Sequence, residues 1–251
     1  MIFQTMKIYF FLLVLVLTAS CQVTETIHLN PDGSGSIEVA DLREENSYMQ
    51  LAKEEYSKEN IYKDTTYVFG DYIKKYQETF SKTSVADQNV FLKYSEVKVH
   101  KKASSYEKEF RSSYSQNFKN VRDIVDLYKI DDYVDDIRLN YALSAEEHYY
   151  NVNYTFEGNH FNRTVKIIDS IQLKKQFDEI EKMKTHYKGY KLVQSYVLNY
   201  HFPRKIQSVS NPLAKINEDR KSLSVQFLLT DCLQNPESTN LEVVLEPEGV
   251  N

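Results

Sequence analysis

Apolar and polar residues alternate along much of this chain. Val23, Ile27 and Leu29 share one parity, and the pattern resumes at Ile37 and Val39 after Asn30-Pro-Asp-Gly-Ser-Gly35. Period-two alternation on both sides of a Pro-Asp-Gly turn predicts strand, turn, strand. Residues 41–61 are charged and lack Pro and Gly, which predicts a helix. Asp64-Thr-Thr66 reads as an N-cap for a second helical segment ending near Phe80, with a further short helix over 85–94. Val97 and Val99 on one arm, and Tyr106, Phe110 and Tyr114 on the other, predict a second hairpin turning at 102–105. The spacing of Val121, Ile124, Tyr128, Val134 and Ile137 predicts a helix over 120–139.

The third hairpin has the cleanest pattern. His148, Tyr150, Val152, Tyr154 and Phe156 share one face, and Phe161, Val165 and Ile167 share one parity on the return strand. Asp169 or Ser170 caps a helix with the stripe Leu173, Phe177, Ile180, Met183 and Tyr187, and Gly189 ends it. Strands follow over 192–202, 223–229 and 241–245, with a short turn or helix over 230–235 and a tail from Pro247. Hairpins with helices between them predict an α+β fold, an antiparallel sheet with helices packed on one face. No Pro- or Ser-rich linker and no repeat interrupts the pattern, so residues 21–251 read as a single domain.

The first twenty residues read differently. Lys7 is their only charge, and Ile8 to Leu17 is unbroken apolar sequence. A membrane-spanning helix needs roughly 20 apolar residues, whereas a secretory signal core needs about 7–15. The core runs into Leu17-Thr18-Ala19-Ser20-Cys21, which resembles the lipobox of bacterial lipoproteins, with Thr18 where that motif usually has Leu. The resemblance implies that 1–20 are removed and that Cys21 carries the lipid. Two or three acyl chains on one residue hold a protein firmly on a membrane where one chain does not. The other reading is an ordinary secretory signal cut near Ala19 or Cys21. In that case Cys21 and Cys232, the two cysteines, are free to form a disulfide. If Cys21 is lipidated, Cys232 in its apolar setting reads as a buried, inert thiol.

Net charge is −5, and loss of Lys7 with the signal makes it one unit more negative. An acidic chain has no electrostatic footprint for nucleic acid. Tyrosine is abundant, with 20 residues, and tryptophan is absent. A tyrosine packs its ring and keeps its hydroxyl in water, so these rings are expected at sheet margins or on a binding surface.

Four acids on the 120–139 helix, Asp131, Asp132, Asp135 and Asp136, are the metal candidates, because residues four apart share a helix face. Asp131-Asp132-Tyr133-Val134-Asp135 also has the form of the DDxxD motif of isoprenoid synthases. Those enzymes are nearly all helical and carry a second metal motif, so a solvated acidic face is the preferred reading. Asp32-Gly-Ser-Gly35 resembles a calcium loop but lacks its twelfth-position Glu and reads as a turn. The six histidines are scattered, and no His-x-x-x-His, Cys-x-x-Cys or Gly-x-Ser-x-Gly is present. The sequence therefore names no metal, no cofactor and no catalytic residue. Asp64-Thr-Thr66 and Asp169-Ser-Ile171 also resemble Bacteroidota O-glycosylation sites.

Cys21 through Val39 resembles a group of bacterial envelope lipoproteins, many from Bacteroidota, with a lipid-site Cys, a strand, a Pro-Asp-Gly-Ser-Gly turn and a second strand. Phe202 to Pro212 and Ser222 to Leu229 resemble them too. The resemblance implies attachment to the cell envelope, on the outer membrane, through Cys21, and it transfers no activity. The expected function is a non-catalytic binding or scaffold protein held at the membrane by its N-terminal lipid, with an envelope protein as a possible partner. A periplasmic carrier of an apolar ligand and a hydrolase, secreted or anchored, are the alternatives.

Overall fold

The computed structural model describes residues 21–139, 148–190, 192 and 194–247, with the side chain of Cys21 left out. Among the described residues the chain forms twelve strands and seven α-helices in an α+β arrangement dominated by antiparallel pairing. The strands divide between two sheets. The larger contains β1 (Cys21–Leu29), β2 (Gly35–Arg43), β3 (Tyr62–Val68), β4 (Lys98–Ser104), β5 (Glu109–Phe118), β8 (Ser195–His201), β10 (Lys215–Ile216) and β11 (Ser222–Leu228). Their order is β10-β11-β8-β1-β2-β5-β4-β3. The smaller sheet contains β6 (Tyr150–Glu157), β7 (His160–Ile167), β9 (Ile206–Val209) and β12 (Leu241–Leu245), ordered β6-β7-β12-β9. One junction, β1 with β8, is parallel.

Register carries one face of the large sheet into the core. Ile27 pairs with Ile37 and Tyr200, and Tyr200 with Leu223; all four are buried. Covering that face are the small sheet and the helices α2 (Phe69–Lys75), α3 (Gln77–Phe80), α4 (Val85–Leu92) and α5 (Ile130–Leu139), which join one buried cluster with it. The remaining helices are α1 (Glu45–Ala52), α6 (Ser170–His186) and α7 (Leu229–Gln234).

The first hairpin and its turn are as expected. Gly33 has φ of 81°, and a Cβ on Gly35 would lie 2.0 Å from the His28 carbonyl oxygen. Asp32 accepts hydrogen bonds from the Ser34 amide (3.0 Å) and hydroxyl (2.6 Å), so its carboxylate serves the turn. The third hairpin pairs Tyr150 with Ile167 through Glu157 with His160, although His148 lies before the strand. Asp169 caps α6 through the amides of Ile171 and Gln172.

Four expectations fail. The predicted helix over 41–61 is the end of β2, then α1, then a 3-10 helix, Lys53–Lys58. The segment is held by Arg43, whose guanidinium bonds Glu45 and Glu59 and lies between the rings of Tyr48 and Phe110. Asp64-Thr-Thr66 caps no helix. It lies inside β3, paired with Lys102, Lys101 and His100, where β-branched threonines are favoured. The second hairpin turns over 105–108, not 102–105. The predicted helix over 120–139 is one helix only from Ile130. Before it Asn120 and Asp126 each cap a single 3-10 turn by bonding the amide two residues on, the local competition that keeps Asn and Asp out of helix interiors.

Candidate functional site

Two clusters of polar side chains lie on the covered face of the large sheet, and they differ in kind. The first is buried. Glu25 sits at an inward position of β1 and Arg163 at an inward position of β7, so the facing sheets press two opposite charges together. Arg163 Nε and Nη2 reach the two carboxylate oxygens at 3.2 and 3.3 Å. Four tyrosine hydroxyls converge on the same carboxylate: Tyr128 (2.7 Å), Tyr154 (2.8 Å), Tyr196 (3.2 Å) and Tyr200. The other donors of Arg163 reach Tyr196 Oη at 2.7 Å and the carbonyl and hydroxyl of Thr239 at 3.1 and 2.8 Å. All five guanidinium N–H groups thus have acceptors.

Burial alone would push the Glu25 carboxyl up, but Arg163 and the hydroxyls outweigh it and hold the group below its usual range. The same burial and the nearby carboxylate raise all four tyrosines far above the normal phenol value. The centre therefore stays an ion pair wrapped in neutral phenols. Beside it opens a mostly apolar cleft of about 170 Å³, bounded by Val23, Tyr128, Tyr196, Leu229, Cys232 and Leu233. Cys232 is free and buried, and burial pushes its thiol up to about 12, which keeps it unreactive.

The second cluster is open. A groove of about 440 Å³ runs between the edge strand β3, the neighbouring β4, and helices α2 and α5. Tyr67, Tyr72 and Tyr76 line it as a run of rings, with centroids 5.4 and 4.6 Å apart. Lys63, Lys75, Lys101 and Arg138 face two acids, Asp71 and Asp135, so cations are in excess. Arg138 holds Asp135 at 2.8 Å, Lys101 holds Asp131 at 2.5 Å, and Lys74 holds Asp71 at 2.9 Å. Lys63 and Lys75 have no ion-pair partner among the described residues. Partial burial, with Asp131 and Asp135 nearby, pushes the Tyr67 hydroxyl up to about 12. Tyr72 rises for the same first reason, with Tyr76 second, and its hydroxyl donates to the Val134 carbonyl at 3.3 Å. These phenols are neutral donors at ordinary pH.

The four candidate aspartates do not converge on one another. Asp131 accepts from the Tyr114 hydroxyl and from Lys101. Asp132 lies 3.0 Å from His148, Asp135 pairs with Arg138, and Asp136 is buried. Among the described residues no group of three metal-ligating side chains comes together. The side chain of Cys21 lies outside the described residues, and its backbone opens β1 opposite Arg43. The tyrosines depart most from expectation: Tyr128, Tyr154, Tyr196 and Tyr200 turn their hydroxyls inward, onto Glu25, not into water. A signal for this existed in the sequence. Glu25 interrupts the inward parity of Val23, Ile27 and Leu29, and Arg163 interrupts that of Phe161 and Val165. Two lone charges of opposite sign at inward positions of separate strands demand each other.

The chain matches no protein-family profile and no curated protein sequence. A solved structure similar to it is the NMR structure of the folded domain of Mycobacterium tuberculosis LppM, at a TM-score of 0.35 and 8% identity, covering 92% of this chain and 91% of that one. A likeness this weak assigns nothing to this chain. No described helix is long and apolar enough to cross a membrane.

Proposed function

We propose that this chain is an envelope lipoprotein, held to a membrane by lipid on Cys21, that binds a polar ligand and does not transform it. The observation that carries the binding reading is the open groove: room for a small molecule, a run of tyrosine rings, and two cations that hold no ion pair among the described residues, Lys75 lying over the Tyr76 ring at 5.4 Å. Its side chains suit recognition. Thr65 is the one aliphatic hydroxyl among the described residues lining it, and no histidine or cysteine does, so it holds no Ser–His or Cys–His type pair. The Glu25 centre has the convergent groups an enzyme needs, but its donors are spent on one another and none is left to meet a substrate. An apolar carrier needs a cavity of several hundred Å³, whereas the apolar cleft beside Glu25, among the described residues, measures about 170 Å³.

Lipid attachment follows from the sequence preceding Cys21 and is tested by intact mass. Protein extracted from its own membranes should weigh as residues 21–251 plus acyl chains, and Cys21→Ser should leave the membrane fraction. An unacylated mass, with Cys21→Ser still fractionating like the wild type, rejects the anchor.

A further inference from the structure

Cys21 and the groove lie at the same end of the large sheet. Cys21 pairs with Arg43; Phe110, the next residue along from the Leu42–Arg111 pair, faces Ala103, and Ala103 pairs with Lys63. One row across five strands thus joins the first residue of β1 to a lysine at the mouth of the groove, roughly 19 Å away at about 4.8 Å per strand. This end of the sheet also carries exposed apolar side chains. Leu228 and Leu42 flank Ser195 and Gln22 in the adjacent row, and Ile61, Tyr62 and Tyr106 lie just beyond it, with Tyr106 bonded to Asn60 at 2.6 Å. Rings with a hydroxyl tip and scattered aliphatics suit the boundary between lipid headgroups and acyl chains.

We infer that the groove receives the phosphorylated sugar headgroup of a membrane lipid. The assignment rests on the anchored reading above for its geometry and on the groove for its chemistry. With Cys21 in the bilayer, the row from Cys21 to Lys63 lies over the headgroups and brings the Lys63 end of the groove to them. Lys63 and Lys75 supply point charges for a phosphate without breaking an existing ion pair. Tyr67, Tyr72 and Tyr76, packed on one another and half-buried, give the groove an apolar wall against which the C–H face of a sugar ring can lie, and Asp71 and Asp135 offer acceptors for its hydroxyls. The volume falls in the range of small-molecule sites, about 300–1,000 Å³.

The test uses residues 21–251 with Cys21→Ser, so that no acyl chain holds the protein to every vesicle, with vesicles of phosphatidylcholine containing monophosphoryl lipid A as the probe and with glucose 6-phosphate and glucose as soluble competitors. Lysine-dependent binding to the lipid A vesicles over plain phosphatidylcholine is expected, with Lys63→Gln/Lys75→Gln weakening it on the order of tenfold, as for loss of charge-assisted bonds. Glucose 6-phosphate should compete weakly and glucose not at all. Equal binding by the double variant overturns the assignment. Glucose 6-phosphate as tight as the vesicles overturns the lipid source, and glucose as effective as its phosphate overturns the phosphate. The intact mass of wild-type protein from its own membranes separates the two readings: an unacylated mass removes the anchor, and lost lysine dependence in the vesicle assay, with wild-type protein acylated, removes the headgroup alone.

Discussion

The two polar clusters use the same residue types to opposite ends. Around Glu25, tyrosines and an arginine surround a carboxylate until no donor is spare. In the groove, tyrosines and lysines line a space where two cations hold no ion pair among the described residues. The first is closed because two sheets bury it and each unsatisfied group there would be costly. The second is open because it lies at an edge strand, where water serves any group the protein leaves unpaired. A polar cluster saturated by its own members holds a fold together, and one left unsaturated at a surface is available to something else. Substitutions in the two places should therefore separate stability from binding.

The largest effect is expected at Arg163. Arg163→Met keeps the length of the side chain but leaves the Glu25 carboxylate buried without its counter-charge. Breaking a buried pair from one side costs about 3–5 kcal/mol, so the midpoint of urea unfolding should fall accordingly. A loss under 1 kcal/mol would show that the tyrosines alone can carry the charge.

Acid should open the same centre. Glu25 titrates below its ordinary value of 4.5 in the fold, so the folded state binds that proton less readily than the unfolded one. The stabilisation is therefore complete above pH 4.5 and is lost as pH falls below it, through the folded value. Glu25→Gln should be less stable at neutral pH, with a flatter stability curve over that acid range. Parallel curves for the two proteins would place the acid sensitivity elsewhere.

Gly35 gives a smaller effect, because it strains the first hairpin without touching either cluster. Its missing Cβ would meet the His28 carbonyl at 2.0 Å and the Phe118 ring at 2.8 Å. Gly35→Ala should cost about 2–3 kcal/mol, in the upper part of the usual range for point mutants, read as a drop in unfolding midpoint.

Gly35 also marks how much was legible beforehand. Hairpins announced themselves because one buried face forces period two, and Asp-Gly turns are local chemistry. The 41–61 and 120–139 segments misled because freedom from Gly and Pro permits a helix without requiring one. What decided them was Arg43 lying between two rings, and Asn120 and Asp126 bonding amides two residues ahead. β9 and β10 are too short to show a period. The groove was not legible, since Lys63, Tyr72 and Arg138 come from segments that only the packing of α2 and α5 beside β3 brings together. The acidic run was conspicuous in sequence, yet in space its members serve Tyr114, Lys101, His148 and Arg138 separately.

The smallest effect on stability is expected where the effect on binding is greatest. Lys63 and Lys75 are exposed and hold no ion pair among the described residues, so removing them breaks no ion pair and loses only the exposed contact of Lys75 with the Tyr76 ring. Lys63→Gln/Lys75→Gln should shift unfolding by no more than about 0.5 kcal/mol, the ordinary range for surface substitutions. It should nonetheless abolish most salt-sensitive binding to vesicles carrying a phosphorylated sugar, because exposed charges act through a field that about 0.15 M salt screens within roughly 8 Å. Arg163→Met should do the reverse, lowering the unfolding midpoint while the folded protein keeps its lysine-dependent binding. If the lysine variant instead destabilises the protein as much as a core substitution does, then Lys63 or Lys75 is already committed to the fold. The groove would then belong with the Glu25 centre, as one more cluster satisfied from within.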